Sequence, residues 1–230
     1  SNVFPEEFNA SRVRRLAAHF DSQREMLQSL APKTRHGRAG ILMLTPGPRH
    51  ETYYEHAFLA RHLGFPLVEG ADLTTRDRAL YLKTLEGLHR VDVMVRHVDD
   101  RWCDPLELRA ESLIGVAGLV EAWRNGSVAL ANGLGAGIVE TPALHPFLPG
   151  ICRHLLGQEL LLPCVPTWWC GQQRELELLL AEPSRWVVKP AFTRGARDPV
   201  FLADLDSEQR ERQLESIRAA PHEWVAREVL

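Results

Sequence analysis

No apolar run in this chain approaches the roughly 18 residues that a membrane-spanning helix needs, and no signal-peptide pattern opens it. The sequence therefore reads as a cytoplasmic protein without a membrane partner. An excess of charge of one sign is also missing. The 27 Lys and Arg residues nearly balance 30 Asp and Glu, and a formal net charge of −3 gives no electrostatic reason to expect nucleic acid. Cysteine is scarce. Cys103, Cys152, Cys164 and Cys170 sit in hydrophobic or aromatic surroundings with no zinc-like CxxC spacing. Cys164 and Cys170 could pair in principle, but reduced core thiols suit a cytoplasmic protein better. Internal repeats and low-complexity tracts are absent. What is there, 45% hydrophobic and 25% charged over 230 residues, suits a globular protein with one large domain or two small ones.

The stretch 41–100 carries most of the information. ILML reads as a buried strand that ends in a Pro-Gly turn at Thr45, Pro46, Gly47 and Pro48. A helix follows, with Tyr54, Ala57, Phe58 and Leu63 on one face and Gly64 placed to stop it. Phe65 to Val68 then reads as a second strand. Strand, helix and strand in so few residues make a crossover unit, which implies a parallel sheet with a ligand crevice at its strand ends.

Elsewhere the pattern is plainer. Ser11 is placed to cap a helix from Arg12 to about Leu30, with Val13, Leu16, Phe20 and Leu27 as its apolar stripe. Ala71 to Gly87 reads as a hairpin turning across Thr75, Arg76 and Asp77, and Val91 to Val95 as the next strand. Ser112 to Trp123 reads as a helix and Ser127 to Ala131 as a strand. Ala143 to Leu156 is helical, and the proline-rich connector Leu162 to Thr167 reads as a hinge into a different unit. That unit offers a helix at Gln172 to Leu180 and strands at Arg185 to Lys189, Val200 to Leu202 and Trp224 to Leu230. Its second helix, Ser207 to Ala219, is expected to be capped by Ser207.

The segments LTPGP, YYEHAFLARHLGFPLVEGADL, LKTLEG, VDVMVRHVDDRWCDPLEL and VPTWWCG occur in that order. Together they resemble the bacterial circularly permuted ATP-grasp family, the group related in fold to glutathionylspermidine synthase, from about Val3 to Leu230. The resemblance implies an α/β chain. Residues 1–37 would be an N-terminal helix and linker. Residues 38–160 would form a Rossmann-like pre-ATP-grasp domain with a mainly parallel sheet. Residues 161–230 would form a smaller α+β ATP-grasp lid subdomain, incomplete at its C-terminus. It also implies an ATP-dependent carboxylate–amine ligase that works through an acyl phosphate on a small-molecule or peptide substrate. Family members hold Mg2+ with a motif resembling EDN. None occurs here, so the metal ligands are expected outside this segment, which would be inactive alone.

Lys189 ends the strand WVVK ahead of the loop TRGARD, where an ammonium can neutralise phosphate oxygens. The resemblance gives it the α- and β-phosphate contact; by itself it also reads as a solvated lysine at a strand end. The loop keeps only Gly195, between Arg194 and Arg197, where relatives carry more glycine for close approach of backbone N–H groups. Glu228 matches the acidic residue that holds the ribose, and equally a solvent-facing charge on an alternating strand. Thr45, Gly47, Arg96, Asp99, Asp100 and Asn132 cluster at expected strand ends and form a candidate substrate crevice. Asp99 and Asp100 suit magnesium or an amine, and suit a capping turn as well. Gly133, Gly135 and Gly137 fall short of the GxGxxG fingerprint, so NAD is not expected. His50 and His56 lack a third metal ligand nearby in sequence. Trp168 and Trp169 read as packing between the two units.

Both ends read as cut. Ser1 and Asn2 resemble a tag remnant, and EWVAREVL stops inside a strand pattern, so further N- and C-terminal parts of the same protein are expected as partners. Two other readings stay open. One is a non-catalytic binding or scaffolding module with a degenerate nucleotide site, which the glycine-poor loop favours. The other is a Rossmann-like transferase using the crevice near Thr45 to Pro48.

Overall fold

The computed structural model describes residues 6, 10–11, 16–32, 39–192 and 198–229. The expected start of the first helix, with Val13, lies outside them, as does the loop carrying Arg194, Gly195 and Arg197. The chain divides into two compact units, Ser1–Gly135 and Ala136–Leu230.

The first unit is built on a four-stranded parallel sheet in the order β2-β1-β6-β7. Its strands are β1 (Ile41–Leu44), β2 (Leu67–Val68), β6 (Val93–Arg96) and β7 (Ala129–Ala131). All four residues of β1 are buried, as a strand covered on both faces requires. Alternate side chains serve different layers. Leu42, Leu44 and Met94 pack with Leu80, Val98 and Leu119, while Ile41, Met43, Val93 and Val95 pack with Phe20, Leu27, Ala60 and Leu63. The second layer holds helices α1 (Ala17–Ser29) and α2 (Tyr53–Leu63). Leu16, expected in the apolar stripe of α1, is 60% exposed, and α1 begins just after it with no side-chain cap from Ser11. Arg24 of α1 donates from Nε to the Leu63 carbonyl at 3.0 Å, which satisfies one of the orphan acceptors ending α2. Gly64 closes α2 in the left-handed region, as its position in the sequence implies.

The buried stripe of α2 differs from the expected one. His56, Ala60 and Leu63 face the core, whereas Tyr54 is 76% and Phe58 45% exposed. A histidine can occupy that stripe because both of its ring nitrogens find hydroxyl partners. The other layer holds a three-stranded antiparallel meander, β3 (Leu73–Arg76), β4 (Ala79–Thr84) and β5 (Gly87–Arg90). Its first turn is at Asp77 and Arg78, both with positive φ, which places it beyond the expected Thr75 to Asp77. The expected helix from Ser112 shrinks to α3, Leu119–Arg124. Gly115 lies so close to the backbone of Trp102 that a Cβ would sit 2.3 Å from its carbonyl oxygen, and helix geometry gives way to that contact. The buried carboxylate of Asp104 then accepts from the N–H groups of Gly118 (3.1 Å) and Val120 (2.9 Å) to cap α3.

The second unit is a four-stranded antiparallel sheet in the order β10-β9-β11-β8. The strands are β8 (Thr167–Trp169), β9 (Trp186–Pro190), β10 (Val200–Phe201) and β11 (Trp224–Glu228). Helices α5 (Gln173–Ala181) and α6 (Ser207–Ala219) cover one face, with Leu179, Leu214 and Ile217 packed on Trp186, Val188, Trp224 and Ala226. The cap of α6 is Asp206 rather than Ser207, in a capping box with Gln209.

Of the segment expected to be a hinge, only Thr167 enters β8, and what precedes it belongs with this unit. The 3₁₀ helix Pro142–Phe147 leads into α4 (Leu148–Leu156), and the Ala143 N–H donates to the Ala191 carbonyl at 3.0 Å. Phe147 meets Trp169 edge-on at 6.2 Å. The two compact units meet in sequence at Gly135/Ala136, so these contacts all lie within the second. Trp168 and Trp169 accordingly pack inside the second unit, Trp168 on Trp186 and Trp169 donating to the His222 carbonyl.

Candidate functional site

Two places collect the candidate residues. In the first unit, β1 connects to β2 on one side and β6 on the other, so the topological switch lies between β1 and β6. Thr45 and His97 stand just beyond those strand ends, and His56 of α2 bridges them. Its ring stacks on His97 with centroids 4.2 Å apart, and its Nδ1 lies 3.0 Å from the Thr45 hydroxyl.

The proton positions follow from the chain of donors. The Thr52 N–H points at His50 Nδ1, which is therefore an acceptor, and the Thr52 hydroxyl donates to the same nitrogen at 2.8 Å. Thr52 then accepts from His56 Nε2–H, so His56 Nδ1 accepts from Thr45, whose oxygen takes the Gly47 N–H. His50, Thr52, His56, Thr45 and Gly47 thus lie in one directed chain that holds the Thr45 to Pro48 turn. Thr45 is 1% exposed, and Gly47 is buried with φ of 107°.

Arg96 is the centre of the remaining residues. It is buried, and its guanidinium donates from Nε to Asn132 O (2.8 Å), from Nη2 to Gly133 O (3.1 Å) and from Nη1 to Val98 O. Asp100 completes the set 2.5 Å from Nη2, and its other oxygen accepts from the Gly135 N–H at 2.9 Å. Asn132 sits in the left-handed region and returns a bond to the Arg96 carbonyl. Asp99 caps the short turn Asp100–Trp102 by accepting from Arg101 N. The capping and ion-pairing reading of Asp99 and Asp100 thus describes their contacts. Arg96 is a tie between loops, with its donors already engaged.

The second place is the sheet face of the second unit that α5 and α6 leave uncovered. Strand alternation and register put Lys189 and Val187 of β9, Val225 and Arg227 of β11, and Thr167 and Trp169 of β8 on it. Glu228 falls on the opposite face. There it pairs with Arg185 at 2.5 Å, so the structure does not bring it together with Lys189. Burial, and then the nearby Arg227, pull the Lys189 pKa below its ordinary value. His145 crosses from the Pro142–Phe147 turn and accepts from Arg227 Nη2 at 2.8 Å.

The whole chain, residues 1–230, matches the family described as circularly permuted ATP-grasp type 2. The chain belongs to that family. Among its relatives, an uncharacterized protein of Synechocystis sp. is 35% identical over all 230 residues. Two uncharacterized proteins of Mycobacterium tuberculosis are 42% identical over 189 residues, 82% of this chain, and 34% identical over 230 residues. The chain spans 47%, 21% and 42% of the lengths of these three relatives. A solved structure of the ATP-grasp ligase PsnB with a minimal precursor is 16% identical, with a TM-score of 0.43 over 84% of this chain and 64% of that one.

Among the described residues of this ATP-grasp chain, no group of three or more His, Cys, Asp or Glu is arranged to hold a metal. None of their helices is long and apolar enough to cross a membrane. Cys103, Cys152, Cys164 and Cys170 are free thiols, and burial raises Cys103 to about 11 and Cys170 to about 12. The sequence reading singles out neither the His145 imidazole nor the Arg227 side chain. Arg227 stood in a recognised strand, but its face is set by a register that the sequence does not print.

His97 gives a pH prediction. Its Nε2 is buried without a partner among the described residues, and burial, then His56 and Arg96, hold its pKa at about 4 against an ordinary 6.5. Between those values the unfolded chain takes up a proton that the folded chain refuses. The contribution to stability is therefore full above pH 6.5 and is lost as pH falls toward about 4. A His97→Gln variant should lose less melting temperature than wild type over that window, and parallel profiles would remove His97 as the cause.

Proposed function

We propose that this chain supplies the cationic part of the nucleotide site in an ATP-dependent carboxylate–amine ligase that acts on a small-molecule or peptide substrate. The observation that carries the reading is Lys189 on the sheet face opposite α5 and α6, partly buried beside Arg227, with no carboxylate in ion-pair contact among the described residues. Two neighbouring cations without a counter-charge are stabilised when an anion joins them, and a phosphate chain meets that need. Membership of the ATP-grasp family supports the same ligand. ATP would supply the phosphoryl group that activates a carboxylate as an acyl phosphate for attack by an amine. In that reaction Lys189 neutralises charge on the α- and β-phosphate oxygens of the nucleotide. The metal ligands are assigned to further parts of the longer protein. The crevice beside Thr45 and His97, braced by Arg96, is the candidate substrate side, and the cytoplasm the expected compartment.

The test is ADP release by the full-length protein with panels of acids and amines. Release that needs both an acid and an amine is expected, with none above background from the 230-residue chain alone. Release by full-length protein without any amine, or ligation by the chain alone, would overturn the reading. Nucleotide-independent binding of a partner with no ADP release at all would favour the scaffolding alternative.

A further inference from the structure

We propose that Arg227 is a second phosphate-contacting residue of the nucleotide site, set beside Lys189 by the imidazole of His145 and the hydroxyl of Thr167. The inference rests on the nucleotide reading above and adds residues to that site.

The argument starts from register. Val225 pairs with Lys189 on one side and Trp169 on the other, while Arg227 pairs with Val187 and Thr167. Lys189 and Arg227 are therefore diagonal neighbours on one face, roughly 7–8 Å apart at the backbone and within reach for long side chains. Such a pair normally combines opposite charges. Here both are cations, although β11 carries a carboxylate at the next residue. That carboxylate, Glu228, faces the other side and is matched to Arg185.

Arg227 is also fixed in place. Its Nε donates to Thr167 Oγ1 at 3.2 Å, and Thr167 in turn donates to the Val165 carbonyl at 2.9 Å. Its Nη2 donates to His145 Nδ1 at 2.8 Å. These two bonds use neutral acceptors, so they orient the guanidinium without cancelling its charge. Among the described residues Nη1 has no partner. An arginine needed only to strap three segments together would be better served by a carboxylate in place of His145. The imidazole is suited to the task because burial, and then Arg227 and Lys189, disfavour its protonated form. What is left is a held, uncompensated guanidinium next to an uncompensated ammonium. Planar forked donors beside a point charge match successive oxygens of a di- or triphosphate.

Titration of Mg-ATP into the full-length protein tests this, with Lys189→Ala, Arg227→Gln, Arg227→Lys, His145→Ala and His145→Asn compared against wild type. Arg227→Gln should weaken binding about tenfold or more, with Arg227→Lys between it and wild type. His145→Ala should weaken it severalfold. His145→Asn, whose Oδ1 can replace Nδ1 as acceptor, should restore most of the loss. Melting each variant without nucleotide separates affinity from folding. If Arg227→Gln fails to fold, the two His145 variants still decide, because Arg227 remains in both. Wild-type affinity in Arg227→Gln, or equal affinities for the two His145 variants, would overturn the proposal. If Lys189→Ala alone were weak, the nucleotide reading would survive that result. Absence of ATP binding by the wild type would remove both.

Discussion

Replacing Arg96 with methionine should destabilise the first unit by about 3–5 kcal/mol, the range for removing one partner of a buried ion pair. Methionine fills similar space, so the loss comes from polar groups left behind. Asp100 loses its counter-charge, and the carbonyls of Val98, Asn132 and Gly133 lose their donor together. Those carbonyls lie on loops after β6 and β7, so these loops would separate even if the sheet survived. Arg96→Lys should recover little, because one ammonium cannot meet acceptors spread around a planar fork. Asp100→Asn should be milder, since an amide oxygen still accepts from the Gly135 N–H. Denaturant unfolding of the three variants measures the order. A methionine variant within about 1 kcal/mol of wild type would mean that the guanidinium is solvated and dispensable.

That role for Arg96 shows where the sequence stops being legible. The apolar runs ILML and VDVMV announce β1 and β6, because strands covered on both faces need continuous hydrophobicity. Gly64 announces the end of α2 for an equally local reason. Two of the partners of Arg96, by contrast, Asn132 and Gly133, lie 36 and 37 residues away. Nothing in RHVDD distinguishes a loop tie from a substrate contact. His56 is similar, since a histidine counts as polar until Thr45 and Thr52 are seen to satisfy it. β8 escaped because Pro163 and Pro166 suggest a connector, yet an edge strand tolerates proline just before it. β5 escaped because GLHR is mostly exposed and shows no alternation. On the cationic face, Lys189 was found from its strand-end motif. Its neighbours Arg227 and His145 come from register and from a turn 82 residues away in sequence from Arg227. The same register separates Glu228 from Lys189, which alternation within one strand could not reveal.

Lys189→Ala in the full-length protein should weaken ATP binding or turnover by roughly 1.5–3 kcal/mol, the range for a hydrogen bond to a charged group. The lower part of that range applies if Arg227 takes over some of the phosphate charge. Lys189→Arg should not restore wild-type behaviour. The site already holds one planar guanidinium on the adjacent strand, and a second would have to share its space while losing the compact ammonium. The lowered pKa of Lys189 adds a direction. Its folded-state value lies below that of the unfolded chain, so its positive charge is lost at a lower pH than an ordinary lysine would lose it. A bound phosphate opposes that loss by favouring the charged form. ATP affinity should therefore decline on the alkaline side earlier in the wild type than in Lys189→Arg, whose guanidinium stays protonated. Titration calorimetry across alkaline pH reads both effects. Equal affinity in wild type and Lys189→Ala at neutral pH would place the ammonium outside the nucleotide site and return it to the solvent.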